Sequence, residues 1–273
     1  MRSIVLFLLL ILLSNTATLA QQKRQLVWSD EFNYTGAPDS KKWIYEQGFI
    51  RNQEKQYYTS SQKNAYVHNG VLEIKAKKEN CVNESYKAGT QEWRTKDSIA
   101  NYTSASINTL GKASWQYGRI EVRAKLSKGL GVWPAIWMMG INRQEVHWPT
   151  CGEIDIMEFV GHDSASIFGS IHFATDKNAE KHGSSHSKIE VIKPYNDFHI
   201  YAMEWDSSEI RIFFDDKLYH SFRTENADTG KENPFRKPFY LLINLALGGS
   251  WGGPIEDSNL PQSYLIDYVR VYQ

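Results

Sequence analysis

Apolar and polar residues alternate singly along much of the chain, the period of strands with one buried face. Residues 71–77 (Val-Leu-Glu-Ile-Lys-Ala-Lys) and 119–126 (Arg-Ile-Glu-Val-Arg-Ala-Lys-Leu) show it most cleanly. Residues 210–217 predict a strand entering a turn, and 240–246 and 264–272 predict two more, the last closing the domain. Convincing helical periods are few. Short strands separated by turn residues, without interleaved helices, predict an all-β jelly-roll or sandwich of two antiparallel sheets. The polar stretches 175–188 and 79–102 read as surface loops. No repeat or low-complexity linker divides the chain.

The first twenty residues break this pattern. Arg2, the apolar run 4–13 and Thr18-Leu19-Ala20 have the order of a removable secretory signal peptide, leaving residues 21–273 as one domain. The run is too short to span a bilayer, and no later segment approaches the ~18 apolar residues that need. The expectation is a secreted protein, extracellular or periplasmic, without membrane attachment once the signal is removed, and acting as a monomer.

Charge narrows the partner. Lys plus Arg total 31 and Asp plus Glu total 31, so the formal net charge is zero. That balance gives no basic stripe for nucleic acid and no steering toward a polyion. With two cysteines, Cys81 and Cys151, a disulfide scaffold is excluded, and free thiols are the expected state. Neither C-x-x-C nor H-E-x-x-H occurs. More telling are nine Trp, fifteen Tyr and twelve Phe, which either fill a β core or pave a groove.

Chemistry concentrates in Cys151-Gly152-Glu153-Ile154-Asp155-Ile156-Met157-Glu158-Phe159. Its apolar residues make it a strand, yet it carries three carboxylates. In a regular strand Glu153 and Asp155 share one face, and Glu158 points with Ile154 and Ile156 into the core. An unpaired buried acid there costs several kcal/mol or must stay neutral. One β-bulge near Ile156-Met157 repairs the pattern and returns Glu158 to the face of Glu153 and Asp155. The two Glu are then about 13 Å apart at Cα. Inward-leaning side chains bring their carboxyls to ~5–5.5 Å, the separation of a retaining glycosidase pair. Mutual repulsion raises at least one of the three pKa values, which keeps a general acid protonated near neutrality. A solvated acidic face and a calcium site are the alternatives.

Two aromatic segments surround this cluster in the reading. Residues 129–140 hold Trp133 and Trp137, and the glycine-rich residues 247–254 hold Trp251. Indole faces stack on sugar rings and glycines let backbone approach a ligand, although each Trp also suits a core. The amide-rich residues 52–58, starting at Asn52, suit hydroxyl recognition. His172 opposes Ile171 and Phe173 across its strand and is either a structural or a cleft residue.

Together these segments resemble glycoside hydrolase family 16, in its bacterial laminarinase (endo-β-1,3-glucanase) branch. The resemblance rests on Trp28-Ser29-Asp30-Glu31-Phe32, Tyr117-Gly118-Arg119-Ile120-Glu121, Trp133-Pro134-Ala135-Ile136-Trp137, the acidic motif and Asn244-Leu245-Ala246-Leu247-Gly248-Gly249. It implies a β-jelly roll with a concave carbohydrate-binding cleft. It also implies Glu153 as nucleophile, Glu158 as acid/base and Asp155 as the acid that orients the nucleophile. Trp133, Trp137, Asn52, His172 and Trp251 are the implied substrate-binding residues. A structural calcium away from the cleft is implied at Glu31, Gly70 and Asp267, and no cofactor is required for catalysis. The extra Met157 gives the E-x-D-x-x-E form that laminarinases share with agarases and carrageenases, and Trp148-Pro149-Thr150-Cys151-Gly152 is laminarinase-like. The expected substrate is β-1,3-glucan, with mixed-linkage β-1,3-1,4-glucan as a second candidate. The alternatives are another polysaccharide (agar, carrageenan), transglycosylation, or a non-catalytic β-glucan-binding lectin. Enzymes for sulfated or galactose-based polymers are expected to carry more basic residues in the groove.

Overall fold

The computed structural model describes residues 24–176, 181–230 and 232–273. The signal-peptide expectation for residues 1–20 lies outside the described residues. The chain opens with β1 (Leu26–Asp30), β2 (Ile44–Tyr45), β3 (Gln56–Tyr58), β4 (Ala65–His68) and β5 (Val71–Val82). Next come β6 (Ile99–Ser104), β7 (Ser106–Asn108), β8 (Gly118–Lys125), β9 (Val132–Gly140), the single helical turn α1 (Arg143–Val146) and β10 (Glu153–Glu158). It continues through β11 (Ser166–Ala174), β12 (His182–Glu190), β13 (His199–Trp205), β14 (Glu209–Phe214) and β15 (Lys217–Arg223). The last elements are β16 (Phe239–Leu247), the short α2 (Gly249–Gly252) and β17 (Gln262–Tyr272).

These strands form an all-β jelly roll of two sheets. One has ten strands, ordered β15-β14-β13-β8-β17-β5-β6-β3, with β1 on β17 and β4 on β5. The other has seven, ordered β12-β11-β10-β9-β16-β7-β2. Pairing is antiparallel except between β3 and β6. The predicted strands near 71, 119, 210, 240 and 264 are β5, β8, β14, β16 and β17.

Burial explains which sheet carries the site. In β8 and β14 alternate residues are buried, so the ten-stranded sheet has one core face and one wet face. In β9 and β16 every residue is buried. Their alternate positions serve two interiors. Ile136, Met138, Leu241, Ile243 and Leu245 join the core between the sheets. Ala135, Trp137, Met139, Tyr240 and Leu242 form a second apolar layer on the other face. That second layer is the floor on which the site is built.

Two loop expectations are corrected. The stretch 175–188 is not all loop, because β12 pairs with β11 in continuous register from Ser166↔Glu190 to Ala174↔His182. It is an edge strand whose faces are polar, so the chain shows no apolar period there. The stretch 79–102 is shorter as a loop than expected. β5 runs on to Val82 and β6 begins at Ile99, both held by backbone pairing where the β5 side chains no longer meet the core.

Candidate active site

The bulge expected from the acid spacing is present in β10. Against β9 the register steps from Asp155↔Trp137 to Met157↔Ile136, and against β11 from Asp155↔Ser170 to Glu158↔Phe168. Ile156 is the extra residue. Ile154, Ile156 and Met157 are fully buried in the main core, while Glu153, Asp155 and Glu158 line the cleft. A bulge leaves ladder groups unpaired, and here the Ile156 carbonyl accepts a hydrogen bond from the Tyr219 hydroxyl at 2.8 Å. Tyr219 reaches it because residue 169 is glycine: a Cβ at Gly169 would sit 2.9 Å from the tyrosine ring.

The cleft encloses ≈ 520 Å³. All five predicted subsite residues, Asn52, Trp133, Trp137, His172 and Trp251, line it together with the three acids. Trp133 donates its indole N–H to Glu158 Oε1 at 3.0 Å and meets Trp251 edge-on, ring centroids 5.4 Å apart. Trp137 donates to Asn244 Oδ1 at 2.8 Å, and Asn244 donates onward to the Tyr58 hydroxyl at 3.0 Å. Tyr58 in turn donates to buried Glu54 at 3.1 Å. Of the amide-rich stretch, Asn52 reaches the cleft, whereas Gln56 turns inward and donates to Glu54 at 2.7 Å. The glycine-rich loop fixes Asn52: Ser250 N–H donates to its carbonyl at 2.8 Å, and a Cβ on Gly249 would lie 2.8 Å from that oxygen.

Electrostatics separate the three acids. Burial holds the Glu158 carboxyl well above the ordinary range, the Asp155 charge adds to this, and the Trp133 hydrogen bond opposes it. Asp155, 2 % exposed, is also raised, by burial first and then by the charge of Glu153, with which it shares a hydrogen bond. The hydrogen bond joins Asp155 to Glu153 as a pair. The other oxygen of Asp155, Oδ2, lies 3.2 Å from His172 Nε2, within ion-pair range but off the line of a hydrogen bond. Glu158, with its raised pKa, thus lines the same cleft as a hydrogen-bonded Glu153–Asp155 pair, an arrangement suited to proton donation on one side and nucleophilic attack on the other.

Several further residues that the sequence does not single out line the cleft. Trp148 donates to Glu153 Oε2 at 2.7 Å, and its ring packs on His182 at 4.7 Å. His182 Nε2 is 2.9 Å from His172 Nδ1, and burial followed by the His172 charge lowers its pKa. Arg51 and Arg143 also line the cleft. Trp148 stood in a recognised motif without a role, and His182 was hidden in the stretch read as loop. The two arginines carry no sequence signal.

Among the described residues, Glu153, Asp155 and His172 form a group tight enough for a metal, their donor atoms all within 4.8 Å. The expected calcium residues lie elsewhere. The registers Asp30↔Val269 and Ile266↔Leu72 bring Glu31, Asp267 and the Gly70 turn to one corner of the ten-stranded sheet. There Arg270 forks Glu31 at 2.9 and 2.7 Å, and Arg123 holds Asp267 at 2.6 Å. A cation at this corner competes with both guanidinium groups. Cys81 and Cys151 are free thiols, as expected.

The profile of the glycosyl hydrolases family 16 matches residues 52–270. A β-glucanase of Rhodothermus marinus is 43% identical over 91% of this chain and 85% of its own length. A keratan-sulfate endo-1,4-β-galactosidase of Sphingobacterium multivorum is 37% identical over 96% of this chain and 58% of its own length. Among solved structures, the Rhodothermus marinus laminarinase is 41% identical with a TM-score of 0.78, covering 92% of this chain and 97% of its own. One reported for endo-acting O-glycanases, with which prominent human gut microbes initiate mucin breakdown, is 37% identical with a TM-score of 0.87, covering 93% and 92%.

Proposed function

This chain belongs to glycosyl hydrolase family 16, and on that footing we propose that it is an endo-acting β-1,3-glucanase working by double displacement with retention. The observation that carries the reading is the bulged β10, which sets Glu153, Asp155 and Glu158 along one cleft beside Trp133 and Trp137. A glycan chain lies across the indoles. Glu158 gives its proton to the glycosidic oxygen while Glu153 attacks the anomeric carbon, forming a glycosyl-enzyme. Asp155 holds Glu153 in line through their shared proton. Glu158, now a base, takes a proton from water as that water attacks the anomeric carbon and frees Glu153. No step uses a cofactor. Calcium at Glu31, Gly70 and Asp267 is proposed as structural only, and it binds by displacing the arginines. Secretion is inferred from residues 1–20, and a monomer acting on soluble or particulate β-glucan suffices for the chemistry.

A second reading has its own support. The O-glycanase structure superposes better than the laminarinase, although its sequence identity is lower, and one relative is a keratan-sulfate endo-1,4-β-galactosidase. An endo-β-galactosidase uses the same acids with a different glycon pocket. Reducing-sugar release and product sizes on laminarin, lichenan, cellulose, agarose and keratan sulfate separate the two. Laminarin cut to mixed oligosaccharides supports the first reading. Cleavage confined to galactose-containing chains replaces it with the second, and binding without cleavage overturns both.

A further inference from the structure

Beyond Arg143 the cleft does not end. A second cavity of ≈ 700 Å³ adjoins it, lined by Tyr45, Asn108 and Tyr240 from β2, β7 and β16 and by Glu46 just after β2. Arg143, at the start of α1, lines both. The groove therefore crosses the whole seven-stranded sheet, six gaps of about 4.8 Å, or roughly 29 Å. A glycan seated on the acids must pass the Arg143 guanidinium on this side.

The groove's two arginines differ in their partners. Arg51 is an internal strut. It is forked onto Glu46, which also accepts from Ser106 Oγ at 2.6 Å, and its guanidinium lies 4.9 Å from the Trp137 ring centroid. Glu46 is thus committed to Arg51, and the nearby Glu54 is committed to Gln56 and Tyr58. Arg143 has no carboxylate within ion-pair distance among the described residues. Its contact is the Tyr240 hydroxyl, and Glu46 and Cys151 feel its charge only at longer range. The cation is half-buried at the junction of two cavities and makes no ion pair with a carboxylate among the described residues. A planar guanidinium in that position matches the two oxygens of a sulfate ester or carboxylate.

We propose that Arg143 binds an anionic oxygen substituent on a glycan unit lying beside the acids, so that this enzyme acts on acidic β-glycans as well as neutral ones. The proposal rests on the reading of the cleft as a glycan groove, whichever sugar the acids cleave.

The test compares wild type with Arg143→Gln and Arg143→Lys on neutral β-1,3-glucan and on the same glucan sulfated or carboxymethylated to a matched degree. The expected result is a fall of about tenfold in the ratio of kcat/KM on anionic to neutral substrate in Arg143→Gln, with partial recovery in Arg143→Lys. In wild type the same ratio falls as salt rises. Loss of preference on the sulfated glucan alone assigns a sulfate ester, and loss on both assigns any anionic oxygen. A ratio that Arg143→Gln does not move overturns the proposal. If no glucan is cut, the β-1,3-glucanase reading fails separately. Arg143 is then tested by equilibrium binding of neutral and sulfated glucan and galactan oligosaccharides to Glu153→Gln and Glu153→Gln/Arg143→Gln. Equal affinities in the two proteins reject its role, and weaker binding of the sulfated sugar by the double variant supports it.

Discussion

Tyr219→Phe isolates the device that aims Glu158. The hydroxyl donates at 2.8 Å to the carbonyl of Ile156, a fully buried residue at the bulge. Phenylalanine keeps the ring and removes that bond, along with a longer 3.4 Å contact to the Phe168 carbonyl. A buried carbonyl left without a partner costs about 1–3 kcal/mol. In a chain of this size each kcal/mol lowers Tm by about 2–4 °C, so a fall of roughly 2–12 °C is expected by scanning fluorimetry. The kinetic effect is more specific. Relaxation of the bulge moves Glu158, two residues on, and a displacement of about 1 Å at a reacting group can cost on the order of a hundredfold. The expected signature is a lower kcat on polysaccharide with KM little changed, and a smaller loss on aryl glycosides whose leaving group needs no proton. Gly169→Ala should reproduce it, since the new Cβ would press on the Tyr219 ring. A Tyr219→Phe enzyme with wild-type Tm and kcat would refute the claim that this phenol holds the bulge.

Further outcomes follow from the same geometry. Trp133→Phe removes a hydrogen bond that favours ionised Glu158. The alkaline limb of kcat/KM should therefore move upward by about one pH unit, and an unmoved or lowered limb would count against Glu158 as the acid. Because burial raises the Glu158 pKa, the folded chain binds a proton that the unfolded chain has released, and stability falls as pH rises above the ordinary carboxyl range. Glu158→Gln lacks this penalty, so its Tm should match wild type at about pH 4 and exceed it at about pH 8. Parallel melting curves at both values would contradict the assignment. Calcium binding at Glu31, Gly70 and Asp267 predicts a Tm that rises with added calcium and falls with chelator, and Arg270→Gln should strengthen the response. A Tm indifferent to both in wild type and variant removes the site.

The bulge and the division of β10 between cleft and core were legible in the sequence because regular strand alternation would put an unpaired Glu158 with Ile154 and Ile156 in the core. That Asn52, Trp133, Trp137, His172 and Trp251 line the cleft was legible from aromatic, glycine and amide context together with the family resemblance. β12 was not, because its backbone pairs with β11 while its side chains have no apolar period to reveal it. Tyr219 was invisible for another reason: it meets Ile156 across 63 residues of chain, and only the packing of β15 under β11 and β10 brings them together. Arg51 and Arg143 look alike in sequence. What distinguishes them is that Glu46 is spent on one of them.

The most direct test of the account is mechanism-based labelling with an activated 2-deoxy-2-fluoro β-glycoside of the preferred sugar, followed by peptide mapping. The account predicts one stoichiometric glycosyl ester on Glu153, formed at an undiminished rate in Glu158→Ala when the leaving group needs no proton, and released faster when azide is added. A label on Glu158 or Asp155, or turnover without any covalent intermediate, would contradict it.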